Sequence, residues 1–372
     1  MAIRFLTSGE SHGEKLTGII EGLPFGYELD FDFINSELKS RQTGFGRGAR
    51  MQIESDTIKI TSGVRFAKTT ASPLAFEIVN HDFKNWIYPM SITKIDYDLL
   101  DNAQKTVVAD AVASKKITKF RPAHADLSGV QKYGFDDIRY VLERASARET
   151  AARTAIGAIC QNILKNYDIE FSSKIINIGE CFDSNEFEEY IKNFSEDSLG
   201  GSVEIRIKNV PAGIGSFVNW DRKLDALLSK AIISIPAVKS VEFGLGTEYS
   251  KKSGSSSHDE IFFENGKYIR KTNNSGGIEG GMSNGEDIVI KASMKPIPTL
   301  KKPLKSVEMT THNQVEAHFE RSDVCAVHAM GVVARNVSAY IILDCFLDKF
   351  SHDCKDDIDK AYLNYTSRLN EV

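Results

Sequence analysis

The sequence predicts an α+β fold in one domain over residues 1–372. Three observations carry this expectation. Segments alternating apolar and polar side chains every second residue are interspersed with segments repeating every three to four, without the regular β-α-β rhythm of a doubly wound sheet. No period of 20 to 50 residues recurs. No long Pro-rich or Gly/Ser-rich linker separates the halves.

Taken in order, Ile3 to Leu6 reads as a short strand and Asp32 as the cap of a helix running to Arg41. Met51 to Ile60 and Leu74 to Val79 read as strands. Ser146 and Glu149 fit a capping box that opens a long helix, with Ala151, Ala152, Ala155, Ile156, Ile159 and Ile163 at helical spacing. Its small residues Ala151, Ala155 and Gly157 predict close packing in the core. Val203 to Ile207 alternates as a strand. Asp221 to Ile233 sets Leu224, Leu227, Leu228, Ala231 and Ile232 on one helical face, and Asp287 to Met294 returns to strand. Glycines and prolines punctuate three loops, Thr43 to Ala49, Ser275 to Asn284 and Lys295 to Pro303. Pro296, Pro298 and Pro303 make the last a rigid extended segment.

Composition narrows the function. A chain of 372 residues, 41% hydrophobic and 26% charged, can bury a large core and is neither disordered nor collagen-like. A net charge of -5 argues against nucleic acid or an anionic membrane as partner, so any basic site must be local. Cys160, Cys181, Cys325, Cys345 and Cys354 are odd in number and widely spaced, which favours a reducing cytoplasm over a disulfide or thiolate-zinc framework. The opening residues lack a hydrophobic signal core. The most apolar stretch, Ala339 to Phe346, is interrupted by Asp344 and too short for a bilayer, so no membrane insertion is expected.

Six clusters hold the unusual chemistry. Gly9-Glu10-Ser11-His12-Gly13 leaves an imidazole uncrowded beside glycines, suited to a flat ligand or to a plain exposed turn. Arg41 to Arg50 sets Arg41, Arg47 and Arg50 on a glycine-rich loop, able to grip phosphate or carboxylate with paired hydrogen bonds; a solvated basic loop or an RNA contact has the same composition. Arg121-Pro-Ala-His124-Ala-Asp126 suits either a ligand-facing histidine or a structural one held by Asp126. Arg144, Ser146 and Arg148 surround a helix start whose free amides attract anions, though a well-capped surface helix looks alike. Gly276 to Met282 with Lys295 to Thr299 matches neither a dinucleotide fingerprint nor a P-loop, leaving a ligand-facing backbone or a tight turn. Glu320-Arg321-Ser322-Asp323 can be a site or a surface ion pair.

In this order the clusters resemble the chorismate synthase family, from Gly9 to about Val337. Gly9-Glu-Ser-His-Gly with Gly22-Leu-Pro24, the run Ser146-Ala-Arg-Glu-Thr, and Arg321-Ser-Asp with Gly331-Val-Val resemble its three signatures. The resemblance implies a β-α-β sandwich with a helical layer between antiparallel sheets, assembled as a homotetramer. It further implies a lyase of aromatic amino acid biosynthesis that converts 5-enolpyruvylshikimate 3-phosphate to chorismate and phosphate by anti 1,4-elimination. Reduced FMN is required without net redox change, supplied by an external flavin reductase, with NADPH as an indirect reductant.

Carried over residue by residue, Arg41, Arg47, Arg50, Arg121, Arg148 and Arg321 would bind the polyanionic substrate. His124 would protonate or hydrogen-bond the departing phosphate, and His12 would stabilise the reduced flavin at its N1/O2 edge. Asp323 would act with flavin N5 on the carbon 6 hydrogen, Ser11 and Ser146 ordering a water between them. Arg144, Ala145, Ser146, Pro236, Ala237, Gly280, Lys295, Pro296, Ile297, Pro298, Thr299 and Arg321 would contact FMN, and Arg41 and Arg47 are candidates for contact with a nicotinamide reductant. The chain departs from the family at Ala145, His328 and Arg335-Asn336, the last of which reverses the usual charge and puts local pairing or subunit contacts in question. Two rivals remain: a nucleotide or RNA binder built on the Arg41 to Arg50 loop, against which the acidic net charge weighs, and a flavin oxidoreductase consuming one reductant per product.

Overall fold

A computed structural model describes residues 2–47, 55–264, 266–320 and 323–369. The first sheet holds β1 (Arg4–Ser8), β2 (Lys15–Glu21), β3 (Lys59–Ser62) and β4 (Leu74–Val79) in the order β1-β2-β4-β3. The second holds β5 (Glu170–Ile178), β6 (Gly201–Lys208), β7 (Val238–Phe243) and β8 (Ile288–Met294) in the order β5-β6-β8-β7. Every pairing within the two sheets is antiparallel.

The helices are α1 (Phe31–Gln42), α2 (Asn102–Ala113), α3 (Asp126–Tyr133), α4 (Arg139–Ala145), α5 (Thr150–Leu164), α6 (Leu224–Ile233), α7 (Val327–Phe350) and α8 (Lys355–Leu369), with shorter turns between. α5 packs on β1 and β2, α7 packs on β5 and β6, and α5 and α7 pack on each other, flanked by α1 and α6. The helical layer therefore lies between the two sheets, as the sandwich expectation requires. With α2 to α4 and the shorter elements set aside, each half runs strand, strand, helix, strand, strand, helix, and each sheet repeats the order first, second, fourth, third. This duplication spans about half the chain, far beyond the repeat lengths sought in the sequence. One apolar core joins both sheets through α5 and α7, and a small separate cluster of Ile117, Ile138 and Leu142 lies beneath Phe120, Val130 and Met309.

Several boundaries differ from expectation, each for a local reason. Asp30, not Asp32, caps α1, its carboxylate accepting the Phe33 amide at 2.9 Å. Of the strand expected over Met51 to Ile60, residues 51–54 lie outside the described part, and only Lys59–Ser62 forms strand. The amides of Asp56 and Ile58 go instead to the side chains of Gln42 and Asn35, at 3.2 and 3.0 Å. Ser146 does not open the long helix. It ends α4, its amide donating to the Leu142 carbonyl at 3.0 Å, and caps a 3-10 turn over Ala147–Glu149, after which α5 begins at Thr150. With that amide spent, the capping box cannot form, and Glu149 pairs with Arg153 at 3.0 Å. Asp221 lies in a 3-10 turn ahead of α6.

Leu74–Val79 matches its prediction, and Lys295 to Pro303 is neither helix nor strand. The Ser275 to Asn284 loop folds into a hairpin, Ile278–Glu279 with Met282–Ser283, whose central Gly280 and Gly281 have φ of +60° and +90°, the positive values that a tight two-residue hairpin turn demands. α7 is longer than the apolar stretch expected: by length and composition it could cross a membrane, but 89% of its apolar window is buried within the fold. Asp344 on it accepts the Ala2 and Ile3 amides at 2.6 and 3.0 Å.

Candidate active site

A cavity of about 810 Å³ opens where α5 and α7 begin, lined by Ser146 to Arg148 of the turn ahead of α5, by Thr150 at its start, and by Ala326, Ala329 and Met330 at the start of α7. The first turns of two helices therefore face the same space, and the positive ends of their dipoles favour an anionic occupant. The β1–β2 turn contributes Ser11 and His12; the end of α1 and its following loop contribute Arg41 and Arg47; the approach to α3 contributes Arg121 and His124. Pro236 and Ala237 come from the α6–β7 turn, Lys295, Ile297, Pro298 and Thr299 from the segment after β8, and Asp323 from the approach to α7.

Most of the residues singled out in the sequence thus share one wall, Ala145 included. Among the described residues, Arg144, Gly280 and Pro296 lie off it: Arg144 turns away to the Thr7 carbonyl at 2.8 Å and the Gly9 carbonyl at 3.3 Å, and Gly280 sits at its hairpin tip. Arg50 and Arg321 lie outside the described residues.

The charged groups are held partly by Asp126 and Asp323, which the sequence singles out, and partly by Asp56 and Asn80, which it does not. Asp56, wholly buried, receives Arg41 Nη2 on one oxygen and Arg148 Nη1 on the other, each at 2.6 Å. Burial pushes its carboxyl up, but Arg41 and Arg148 outweigh burial and hold it below the usual carboxylate range. Arg148 Nε also donates to Asn80 at 2.8 Å, while the buried Arg41 Nε has no hydrogen-bond partner among the described residues. Arg47 pairs with Asp323 at 2.6 Å. Asp126 takes Arg121 Nε at 2.9 Å and lies 2.5 Å from His124 Nδ1; burial raises its carboxyl, but His124 and Arg121 together keep it well below normal. The Ser146 hydroxyl donates to Ser11 Oγ at 3.1 Å.

Glu143, Trp86, Arg139 and Glu320 form a further group around His12. No periodicity marks them: Asp56 hides within a presumed strand, and Glu143 within an ordinary charged helix end.

The cavity fits a flat ring with a phosphate tail beside a small polyanion. Its volume lies within the range of about 300–1,000 Å³ common for small-molecule sites. Ile235, Pro236, Ala237, Ile297 and Met330 supply apolar wall, Lys295 and Lys301 supply cations, and the unpartnered Arg41 Nε asks for an acceptor. Among the described residues no group of His, Cys, Asp and Glu is arranged to hold a metal ion.

The fold and this cleft define an enzyme acting on an anionic small molecule, with acid and base side chains set among arginines. The sequence model of chorismate synthase matches residues 3–347. The chorismate synthases of Thermoanaerobacter pseudethanolicus and Caldanaerobacter subterraneus subsp. tengcongensis are 47% and 48% identical, each alignment covering 98% of both chains. That of Lactococcus lactis subsp. cremoris is 44% identical over 99% of this chain and all of its own. A crystal structure of chorismate synthase superposes with a TM-score of 0.77 at 34% identity, covering all of this chain and 99% of the other. The chain belongs to the chorismate synthase family, and its activity is the chorismate-forming lyase reaction of the shikimate pathway. Enzymes of this family need a reduced flavin.

Proposed function

We propose that the cleft binds 5-enolpyruvylshikimate 3-phosphate beside reduced FMN and carries out the anti 1,4-elimination with the residues that line it. The observation that carries this is the convergence of His12, His124 and Asp323 with Arg41, Arg47, Arg121 and Arg148 on one cavity. Reduced FMN bound beside the substrate would lend it electron density without net oxidation, held against the apolar wall of Ile235, Pro236, Ala237 and Ile297.

Arginines and two helix N-termini orient the substrate's carboxylates and phosphate. His124 delivers a proton to the departing phosphate: Asp126 at 2.5 Å accepts its Nδ1–H and so keeps the ring oriented. Asp323, tied to Arg47, receives the proton that leaves carbon 6, and the linked hydroxyls of Ser146 and Ser11 give a polar path beside it. The elimination balances: the carbon 3–oxygen bond breaks with its electron pair going to phosphate, the carbon 6 hydrogen leaves as a proton from the opposite face, and its bonding pair forms a new ring double bond as the existing one shifts to carbon 3.

Arg50 and Arg321 join the substrate contacts on the same reading, and Arg321 the flavin contacts; Arg144, Gly280 and Pro296, which lie off the cavity, are left out of it. Reduced FMN comes from an external flavin reductase, with NADPH its indirect source. Residues 1–372 act as one domain in a cytoplasmic homotetramer; the apolar core that joins both sheets supports the single domain.

An anaerobic assay with the enolpyruvyl substrate and photoreduced FMN, read by chorismate absorbance, tests the reading. Many chorismates should form per reduced flavin. His124→Ala should lower kcat by roughly 10²- to 10⁴-fold with flavin affinity nearly unchanged. An unchanged rate removes His124 from the reaction.

A further inference from the structure

His12 works only if its ring is held in one orientation with its proton on a defined nitrogen, and the groups packed on it meet both needs. Glu143, in the last turn of α4, grips it twice. Its Oε2 accepts the His12 backbone N–H at 2.8 Å, and its Oε1 lies 2.8 Å from ring Nδ1. Trp86 stacks on the imidazole with ring centroids 3.9 Å apart and planes 26° from parallel. The other charged groups nearby act on this pair: Arg139 Nη1 bridges Glu143 at 3.3 Å and Glu320 at 2.9 Å, and His318 lies 3.5 Å from Glu320. Lys115 and Arg139 lie over the Trp86 ring at 4.4 and 4.9 Å.

We infer that Glu143, with Trp86 holding the ring face, is a positioning residue that fixes the His12 proton on Nδ1 and assigns Nε2 to the cleft. The inference rests on the proposed role of His12 beside the flavin, where an unprotonated Nε2 would accept a proton from the reduced ring and Glu143 would balance the imidazolium so formed. A carboxylate only accepts, so Nδ1 must donate to it. Its second oxygen is committed to a backbone amide, so it cannot turn away without stranding a buried donor. The Glu143 side chain is 3% exposed, which leaves little room for water to take over.

Glu143→Gln changes shape very little and inverts this logic. The backbone amide can only donate, so it claims the glutamine oxygen. The NH₂ group then faces Nδ1, which must accept, and the ring proton moves to Nε2.

The experiment is ¹H–¹⁵N correlation NMR of the flavin-free protein labelled with ¹⁵N-histidine, at a pH where the ring is neutral, with His12 assigned by its loss in His12→Asn. In the native protein Nδ1 should carry the proton; in Glu143→Gln, Nε2 should. Turnover of Glu143→Gln should fall about 10²-fold with KM for the enolpyruvyl substrate changed less than about threefold. Glu143→Asp, which keeps the carboxylate, should restore the Nδ1 proton and part of kcat. A native Nε2–H ring overturns the inference even if a variant fails to fold, as does a Glu143→Gln protein with unchanged ring nitrogens and rate. Full turnover in His12→Ala would instead remove His12 from the reaction, leaving the NMR result to judge Glu143 separately.

Discussion

The backbone of Gly157 in α5 lies against that of Asn336 in α7 so closely that a Cβ at residue 157 would fall 2.1 Å from the Asn336 carbonyl oxygen. Both helices are otherwise buried along most of their length, and no flexible side chain stands between them there to yield. Gly157→Ala should therefore push the helices apart and destabilise the protein by about 2–3 kcal/mol. Because the first turns of both helices line the cavity, kcat should fall with it. Urea unfolding checks the first and the chorismate assay the second; a loss below about 0.5 kcal/mol would mean that the helices are not in backbone contact.

The same crossing explains a departure from the family pattern. Arg335 reaches Glu37 on α1 with two parallel bonds, at 2.7 and 2.9 Å, while Asn336 donates to Glu37 at 2.7 Å and accepts from Gln161 at 2.8 Å. The reversed charge at 335 is thus answered within the chain. His328 packs its Cβ against Gly44, where φ is +110° and a Cβ at residue 44 would fall 2.7 Å from that of His328, so glycine is required.

Asp56 is the shared counter-charge of two arginines, and its loss should be felt twice. Removing it leaves two guanidinium groups buried side by side with one carboxylate fewer, and breaking such pairs costs about 3–5 kcal/mol. Asp56→Ala should show that loss in urea unfolding. Asp56→Asn keeps the shape and removes the charge, so Arg41 and Arg148 lose their fixed geometry and KM for the enolpyruvyl substrate should rise about tenfold. Unchanged KM would separate Asp56 from substrate binding.

Local patterns made strands such as Leu74–Val79 and the apolar face of α6 legible, because alternation and helical spacing act over a few residues. The Ser146 helix start was misplaced because a capping box needs a free amide, and that amide is claimed by Leu142 upstream. The duplication of the fold left no short period to find. Motif resemblance makes the cavity residues His12, His124 and Asp323 legible, whereas Asp56, Glu143 and Trp86 emerge only when distant segments meet: Glu143 touches His12 across 131 positions, and Arg148 touches Asp56 across 92.

Stability should also respond to pH through Glu320. Burial pushes its carboxyl up, but His318, Arg139 and His12 outweigh that effect and bring it down to about 2 from an ordinary value of 4.5. A carboxyl held low in the folded state contributes stability in full above its unfolded value, and the contribution fades as pH falls from about 4.5 towards about 2. Allowing for its partial exposure, the effect is on the order of 2 kcal/mol. Asp126 and Asp56 are also held low and weaken the wild type over the same acid range, but they do so equally in a Glu320→Gln variant. The variant should accordingly be less stable than wild type at pH 6, with the gap closing as pH approaches 2. Urea unfolding of both proteins at pH 6, 4 and 2.5 measures it, and a gap that stays constant across that range would show that folding does not hold the Glu320 carboxyl below its ordinary value.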